Sequence, residues 1–376
     1  MKEMKLGEIP FYYNLQTDYH NPCGIPDKHG FIVCEDDIGV CIQKYSEITN
    51  NYLNEAYIKG SNISGLMDSD DIGGKYAQDF LKYILDVVDD VSGKNILEIG
   101  CGTGYLLHLL QIKGAIVEGI EPGQYARIGR EKYSLNIVEG FFSAENYNKK
   151  FDIIIFYGVL EHISNYRKFL EDVKSILSDN GKIILSVPNC EPYIQSGDIS
   201  MFLHEHWNYF TESTLQRVLN SLNIKCLLKK AGYGGAIYAD CCVARGKLPV
   251  NCDVKHLDID IFKKSINNVQ KFLAVNKDKS IGVYCPVRII NYYNCISKEI
   301  KKSQIRFFDD DIRFHKLFFP GIDIQIENYM DLKEKPVDIM LIASLTFSKL
   351  IKDKVNEIGI KCITFKDILY EDCDNI

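Results

Sequence analysis

The segment Glu98-Ile99-Gly100-Cys101-Gly102-Thr103-Gly104 carries the first chemical signal in the chain. Glycines at alternate positions permit the backbone angles of a tight strand-to-helix turn and let a ligand approach the main chain closely. Dinucleotide sites use a related turn, with the pyrophosphate held at the following helix N-terminus. This turn differs in its GxGxG spacing, where dinucleotide sites use GxGxxG. It also differs in being entered by a carboxylate, since Glu98 repels a pyrophosphate and suits an ammonium group. A second acid, Glu121 of Gly119-Ile120-Glu121-Pro122, follows at the expected end of the next strand. A carboxylate placed about 20 residues after such a turn accepts hydrogen bonds from ribose hydroxyls. The two acids together suit a nucleoside that also bears an ammonium group.

S-adenosylmethionine has both features, so it is the expected cofactor rather than NAD. A second cluster lies in Phe202-Leu203-His204-Glu205-His206-Trp207-Asn208-Tyr209-Phe210-Thr211. Ionisable groups in a row here read either as a solvated loop before a helix cap or as an acid/base cluster over the cofactor. Histidine titrates near neutrality and can take a proton at physiological pH, and an adjacent Glu supports it electrostatically. Glu161-His162 has the look of a catalytic dyad.

The elements that must position these groups alternate. Strands are expected at Ile96–Ile99, Ala115–Ile120, Asp152–Phe156 and Lys182–Val187, with helices at Tyr105–Ile112, Gln124–Tyr133 and Tyr166–Leu177. An earlier helix begins near Gly74, with Tyr76, Phe80, Ile84 and Val87 on one face. This pattern predicts an α/β fold with a Rossmann-like, doubly wound sheet. After Pro188 a long non-periodic stretch runs to about Trp207; loops of that length in such domains are usually functional. Thr211–Leu222 returns to helix behind a Thr-x-x-Thr cap, and Ile224–Leu228 with Ala236–Ala244 reads as an antiparallel hairpin. A helix at Ile259–Val275 leads into a second, smaller alternation: strand Ser280–Tyr284, helix Arg288–Ile300, strands Ile305–Phe308 and Asp338–Ile342, helix Thr346–Ile358 and strand Lys361–Thr364. The expected division is an irregular N-terminal module, 1–70; a cofactor-binding domain, 71–245; and a C-terminal Rossmann-like α/β domain, 246–376.

Composition narrows the partners. The chain has 376 residues, 46% of them hydrophobic, which allows two domains and a small third. A net charge of -7 and no Lys/Arg-rich stripe argue against nucleic acid and for a small diffusing substrate. No apolar run reaches a bilayer-spanning length, and the first residues lack the apolar core of a signal peptide, so a cytoplasmic protein with no membrane partner is expected. The 13 cysteines form no CxxC pair and are read as reduced structural thiols; Cys241 and Cys242 sit in a strand, facing opposite sides.

Taken together, the glycine turn and Glu121 resemble those of class I S-adenosylmethionine-dependent methyltransferases over about residues 74–245. The resemblance implies a cofactor site of Glu98, Gly100, Cys101, Gly102, Gly104 and Tyr105, with Glu121 and Pro122 on the ribose side. It adds Phe142 and Ser143 near the adenine, and Tyr157, Gly158 and His162 at the end of the fourth strand. The His-Glu-His followed by Tyr-Phe-Thr, with the second α/β unit, resembles a narrower group: sugar C-methyltransferases acting on nucleotide-linked 4-keto-deoxysugars. That likeness implies methylation at carbon, His206 as the base, Glu205 as its support and Tyr57 as a pocket tyrosine. The group's zinc-binding cysteine pairs are reduced here to Cys34-Glu35-Asp36-Asp37, so no metal is expected. Leu203 stands where the group has a tyrosine, and Tyr284-Cys285-Pro286-Val287-Arg288 replaces its C-terminal glycine-rich turn. Methylation of oxygen or nitrogen on a sugar or other small metabolite stands as the alternative, and a catalytically inactive cofactor-binding scaffold as another. The chain is expected to be a monomer or a homodimer.

Overall fold

The computed structural model describes residues 3–59, 67, 71–250, 256–344 and 347–370. Two compact units emerge, and neither follows chain order. One comprises residues 35–189 and 205–256; the other, residues 1–34, 190–204 and 257–376. This differs from the expected linear division at 70 and 245, because long-range packing recruits the first strands and part of the long loop to the C-terminal unit.

The first unit is built on a seven-stranded sheet. Its strands are β1 (Asn95–Ile99), β2 (Ile116–Glu121), β3 (Ile137–Glu139), β4 (Phe151–Tyr157), β5 (Leu177–Pro188), β6 (Ile224–Lys230) and β7 (Ala236–Val243). They lie in the order β6-β7-β5-β4-β1-β2-β3. β1 to β5 pair in parallel, whereas β7 runs antiparallel to both β5 and β6, as the expected hairpin requires. The central strands are apolar on both faces. Leu97, Ile99, Ile154 and Phe156 enter one core, and Ile96, Ile153, Ile155 and Ile184 enter the other.

Helices α1 (Asp71–Val87), α2 (Tyr105–Ile112), α3 (Tyr125–Tyr133), α4 (Tyr166–Ser175) and α5 (Glu212–Ser221) complete this unit's main framework. On α1 the face through Phe80 and Ile84 is fully buried. α5 starts at Thr211, whose hydroxyl accepts from Thr214 N–H while the Thr214 hydroxyl accepts from Thr211 N–H, a reciprocal cap. The Cys34-to-Asp37 segment runs from the end of strand Lys28–Glu35 into a turn. Asp36 Oδ1 accepts from Ile38 and Val40 N–H at 3.0 and 2.8 Å, and Asp37 pairs with Arg167 of α4.

The second unit is also ordered where the sequence reading expected irregularity. Strands Met4–Pro10 and Lys28–Glu35 form an antiparallel pair, and in the other unit helix Glu47–Ile58 continues the stretch expected to be irregular. The unit's parallel sheet contains Ile281–Tyr284, Ile305–Asp309, Ile322–Asn328, Ile339–Ile342 and Lys361–Thr364, with Phe318–Phe319 antiparallel at one edge. The expected helix Arg288–Ile300 is instead two 3₁₀ turns followed by Tyr293–Glu299, and Thr346 of the expected helix at 346–358 lies outside the described residues.

The long stretch after Pro188 is not a bare loop: it holds helix Glu191–Ser196 and a 3₁₀ turn at Ile199–Met201. Some of its polar groups are paired from the C-terminal region. Tyr292 Oη donates to Asp198 at 3.0 Å and accepts from Ile199 N–H at 2.9 Å, and Asn291 Nδ2 donates to the Ile199 carbonyl at 2.8 Å. No described helix is long and apolar enough to cross a membrane.

Candidate active site

Three parallel strands, β1, β2 and β4, bring their carboxyl ends together where the strand order reverses, the position at which open α/β sheets bind ligands. The glycine turn leaves β1 there. Gly100, Gly102 and Gly104 have φ of 69°, 53° and 73°, a left-handed region that side-chain-bearing residues seldom adopt. Space enforces the same choice: a Cβ on Gly100 would stand 2.6 Å from Val159 Cγ2. Gly100 and Cys101 N–H donate to the Ile120 carbonyl at 2.8 and 3.2 Å, tying the turn to β2.

Glu98 is 1% exposed, and neither carboxylate oxygen has a hydrogen-bond partner among the described residues. Burial first, then the Glu121 charge, holds its carboxyl well above the ordinary carboxylate range. An unpaired buried carboxylate costs so much that it takes up a proton or awaits a cationic partner. Glu121 is better served: Oε2 accepts from Gly102 N–H at 3.0 Å and Oε1 from Gly123 N–H at 3.1 Å. Burial raises its pKa, and these two N–H groups pull it back.

Other expected cofactor residues lie in the turn or just beyond the neighbouring strands. Cys101 is buried, its thiol pushed up by burial, and Tyr105 opens α2 with its ring 6.0 Å from that of Tyr133. Pro122 follows Glu121. Gly140, just beyond β3, donates to the Glu121 carbonyl at 3.0 Å, and the chain then reaches Phe142, packed edge-on to Phe169, and half-buried Ser143. Tyr157 ends β4 against Phe80, and Gly158, with φ 64°, donates to the Ser186 carbonyl at 3.0 Å.

A second group assembles from residues far apart in the chain. Segment 205–209 is laid along the 3₁₀ turn Leu160–His162: Trp207 N–H donates to the Glu161 carbonyl at 2.7 Å, and Asn208 Nδ2 donates to the Leu160 and Ile163 carbonyls at 3.1 and 2.8 Å. Strand Cys41–Gln43 pairs with Asn208 and Tyr209 from the other side. His162 is thereby set 4.7 Å, ring to ring, from His206. Its Nδ1 lies 3.0 Å from the Glu205 carbonyl and 2.9 Å from Tyr57 Oη. A carbonyl can only accept, so Nδ1 carries the hydrogen and Nε2 keeps its lone pair. Burial lowers the His162 pKa to about 4, leaving the ring neutral, and raises that of Glu161 to about 8. Burial, helped by the Glu205 and Glu161 charges, raises Tyr57 well above the phenol range, so it keeps its proton. Glu205 Oε1 sits 3.7 Å from His206 Nε2.

Tyr57, Glu205 and His206 are therefore brought together around His162. His162 joins them and not the glycine turn, and Glu161 enters with it; its only sequence signal was its place beside His162. His204 goes elsewhere. Its ring is buried among Phe11, Phe31 and His29 in the second unit, with Nε2 3.1 Å from the His29 carbonyl, and burial lowers its pKa to about 3.

Residues 71–229 match the family described as "Methyltransferase domain". These residues are similar to a methyltransferase domain. The chain is similar to the ubiquinone biosynthesis O-methyltransferases of Glaesserella parasuis serovar 5 (strain SH0165), 35% identical over 121 residues, and of Histophilus somni (strain 2336), 31% identical over 121 residues. Each alignment covers 29% of this chain and 51% of the relative, so the chain spans about half the length of these curated relatives. A solved structure of DhpI with SAH aligns with a TM-score of 0.36 and 17% identity, covering 46% of this chain and 86% of the other. The glycopeptide N-methyltransferase MtfA with SAM aligns with a TM-score of 0.37 and 14% identity, covering 44% and 94%. The matched residues include Glu98, Glu121 and the glycine turn.

Proposed function

We propose that this chain is an S-adenosylmethionine-dependent methyltransferase acting on a small molecule. The single observation that carries the reading is Glu98, buried and without a hydrogen-bond partner among the described residues, beside a left-handed glycine turn that Glu121 ties down. These residues fit the cofactor. Glu98 meets its ammonium, Glu121 the ribose hydroxyls, and Phe142, Ser143, Tyr157 and Gly158 line the remaining wall. When bound, S-adenosylmethionine supplies the methyl group.

The acceptor's proton is the task of the second cluster. His206 takes it, Glu205 stabilises the resulting imidazolium, and neutral His162 with protonated Tyr57 holds the acceptor in line, since alignment of the reacting atoms contributes strongly to the rate. The His-Glu-His segment favours a nucleotide-linked keto-sugar methylated at carbon. The names of the curated relatives favour an oxygen acceptor. Incubation with labelled S-adenosylmethionine and panels of nucleotide sugars and hydroxylated aromatics, read by mass spectrometry and NMR, separates the two. A methyl group on carbon beside a ketone supports the first and a methyl ether the second. Transfer to no acceptor while the cofactor still binds makes the chain a scaffold and defeats the proposal.

A further inference from the structure

Glu161 plays no part in the proposed proton transfer, yet it is 2% exposed and its Oε2 has no hydrogen-bond partner among the described residues. Its Oε1 lies 4.0 Å from His162 Nε2, the nitrogen left with its lone pair. A ring nitrogen of His206 completes the set: one ligand atom from each of Glu161, His162 and His206 lies within 4.8 Å of the others. We propose that these three residues form a binding site for a divalent transition-metal ion of the zinc type.

The donor chemistry fits. Two imidazoles and one carboxylate make up a ligand set that zinc uses in catalytic sites, with the fourth position left open. The ligand that most needs orienting is already oriented. The Glu205 carbonyl and Tyr57 hydroxyl hold His162 Nδ1–H, which fixes the tautomer and turns Nε2 inward, as outer partners do in metal sites. A tetrahedral zinc holds its ligand atoms about 3.3 Å apart, so the cluster closes by up to about 1.5 Å, within the reach of side-chain rotations. The open position is left for an oxygen ligand. A hydroxyl bound there releases its proton to solvent more readily, and a carbonyl bound there acidifies the neighbouring C–H. His206 cannot ligate and act as base at once, so metal occupancy decides which role it has. The inference does not depend on the methyltransferase reading, because cation binding is measured without cofactor.

The test uses the full chain, stripped with a chelator and titrated with Zn²⁺ by calorimetry and with Co²⁺ by visible absorption. One equivalent binds, with the spectrum of a nitrogen- and oxygen-ligated ion. Glu161→Gln and His162→Asn each weaken binding by at least about 100-fold, while Cys34→Ser leaves it unchanged. Far-ultraviolet circular dichroism confirms that each variant is folded, and His206→Asn replaces any that is not. Absence of stoichiometric binding, a thiolate charge-transfer band, or unchanged affinity in the folded variants overturns the proposal. Cofactor titration of the same samples reports separately on the methyltransferase reading.

Discussion

Glu121 engages the glycine turn through both oxygens, accepting from Gly102 and Gly123 N–H, and each oxygen retains a lone pair for a ribose hydroxyl. On the proposed reading its removal acts twice: the cofactor loses its acceptors, and the Gly102 N–H loses its partner. Hydrogen bonds to charged groups contribute about 1.5–3 kcal/mol each. Glu121→Ala should weaken S-adenosylmethionine binding by at least about 30-fold, measured by calorimetry. A dissociation constant within a few-fold of the parent would rule out the ribose role. At this same scale the two neighbouring histidines part company. His204 is neutral and walled in by aromatic rings, whereas His206 faces Glu205 and His162, so adjacency in sequence says little about shared chemistry.

At the scale of elements, the β1-to-α2 turn is the part under steric demand. Gly104 combines φ 73° with a would-be Cβ 2.6 Å from Leu135 Cδ1 and 2.9 Å from Ile137 Cδ1. Left-handed backbone costs a residue with a Cβ about 1–2 kcal/mol, and displacing two packed methyl groups adds to it. Gly104→Ala should lower stability by roughly 2–3 kcal/mol, seen as a reduced denaturation midpoint. Gly235, whose added Cβ meets nothing within 4 Å, is the control, and Gly235→Ala should stay within about 0.5 kcal/mol. Equal effects at the two sites would mean that the turn is not where the strain lies.

The whole molecule folds as two units assembled from interleaved stretches of chain. Met4–Pro10, Lys28–Glu35 and 190–204 find their packing partners beyond residue 257, including Ser265, whose hydroxyl donates to the Gly197 carbonyl, and Asn294, which donates to the Glu8 carbonyl at 2.8 Å. A chain ended after residue 256 should keep amide-exchange protection in β1, β4 and β5. It should lose protection at 4–10 and 190–204 and bind a hydrophobic dye. Native-like protection in those two segments would show that they fold without the C-terminal sheet.

Short-range features were legible in the amino-acid order. Helices at Tyr105–Ile112 and Ile259–Val275 and the strand Lys361–Thr364 fall where periodicity placed them, and the Thr211–Thr214 cap forms as its spacing implied. The glycine turn was equally plain, because left-handed angles and close approach are local demands that name their residue. The stretch at 1–70 misled, since short strands and a helix lie among its Asn, Asp and Gly residues and are stabilised by partners distant in sequence. The same reason hid the second cluster's membership. Tyr57 and His162 are 105 residues apart, and the His162 Nδ1 partner at Glu205 lies a further 43 residues on. The sequence alone determined the cofactor turn, the doubly wound order of elements and the acids beside them, all set by backbone angles and periodicity within a few residues. Tertiary structure alone decided that Glu161 and His162 stand with His206 while His204 does not. That choice depends on which buried surfaces close on one another across the chain, and no local pattern encodes it.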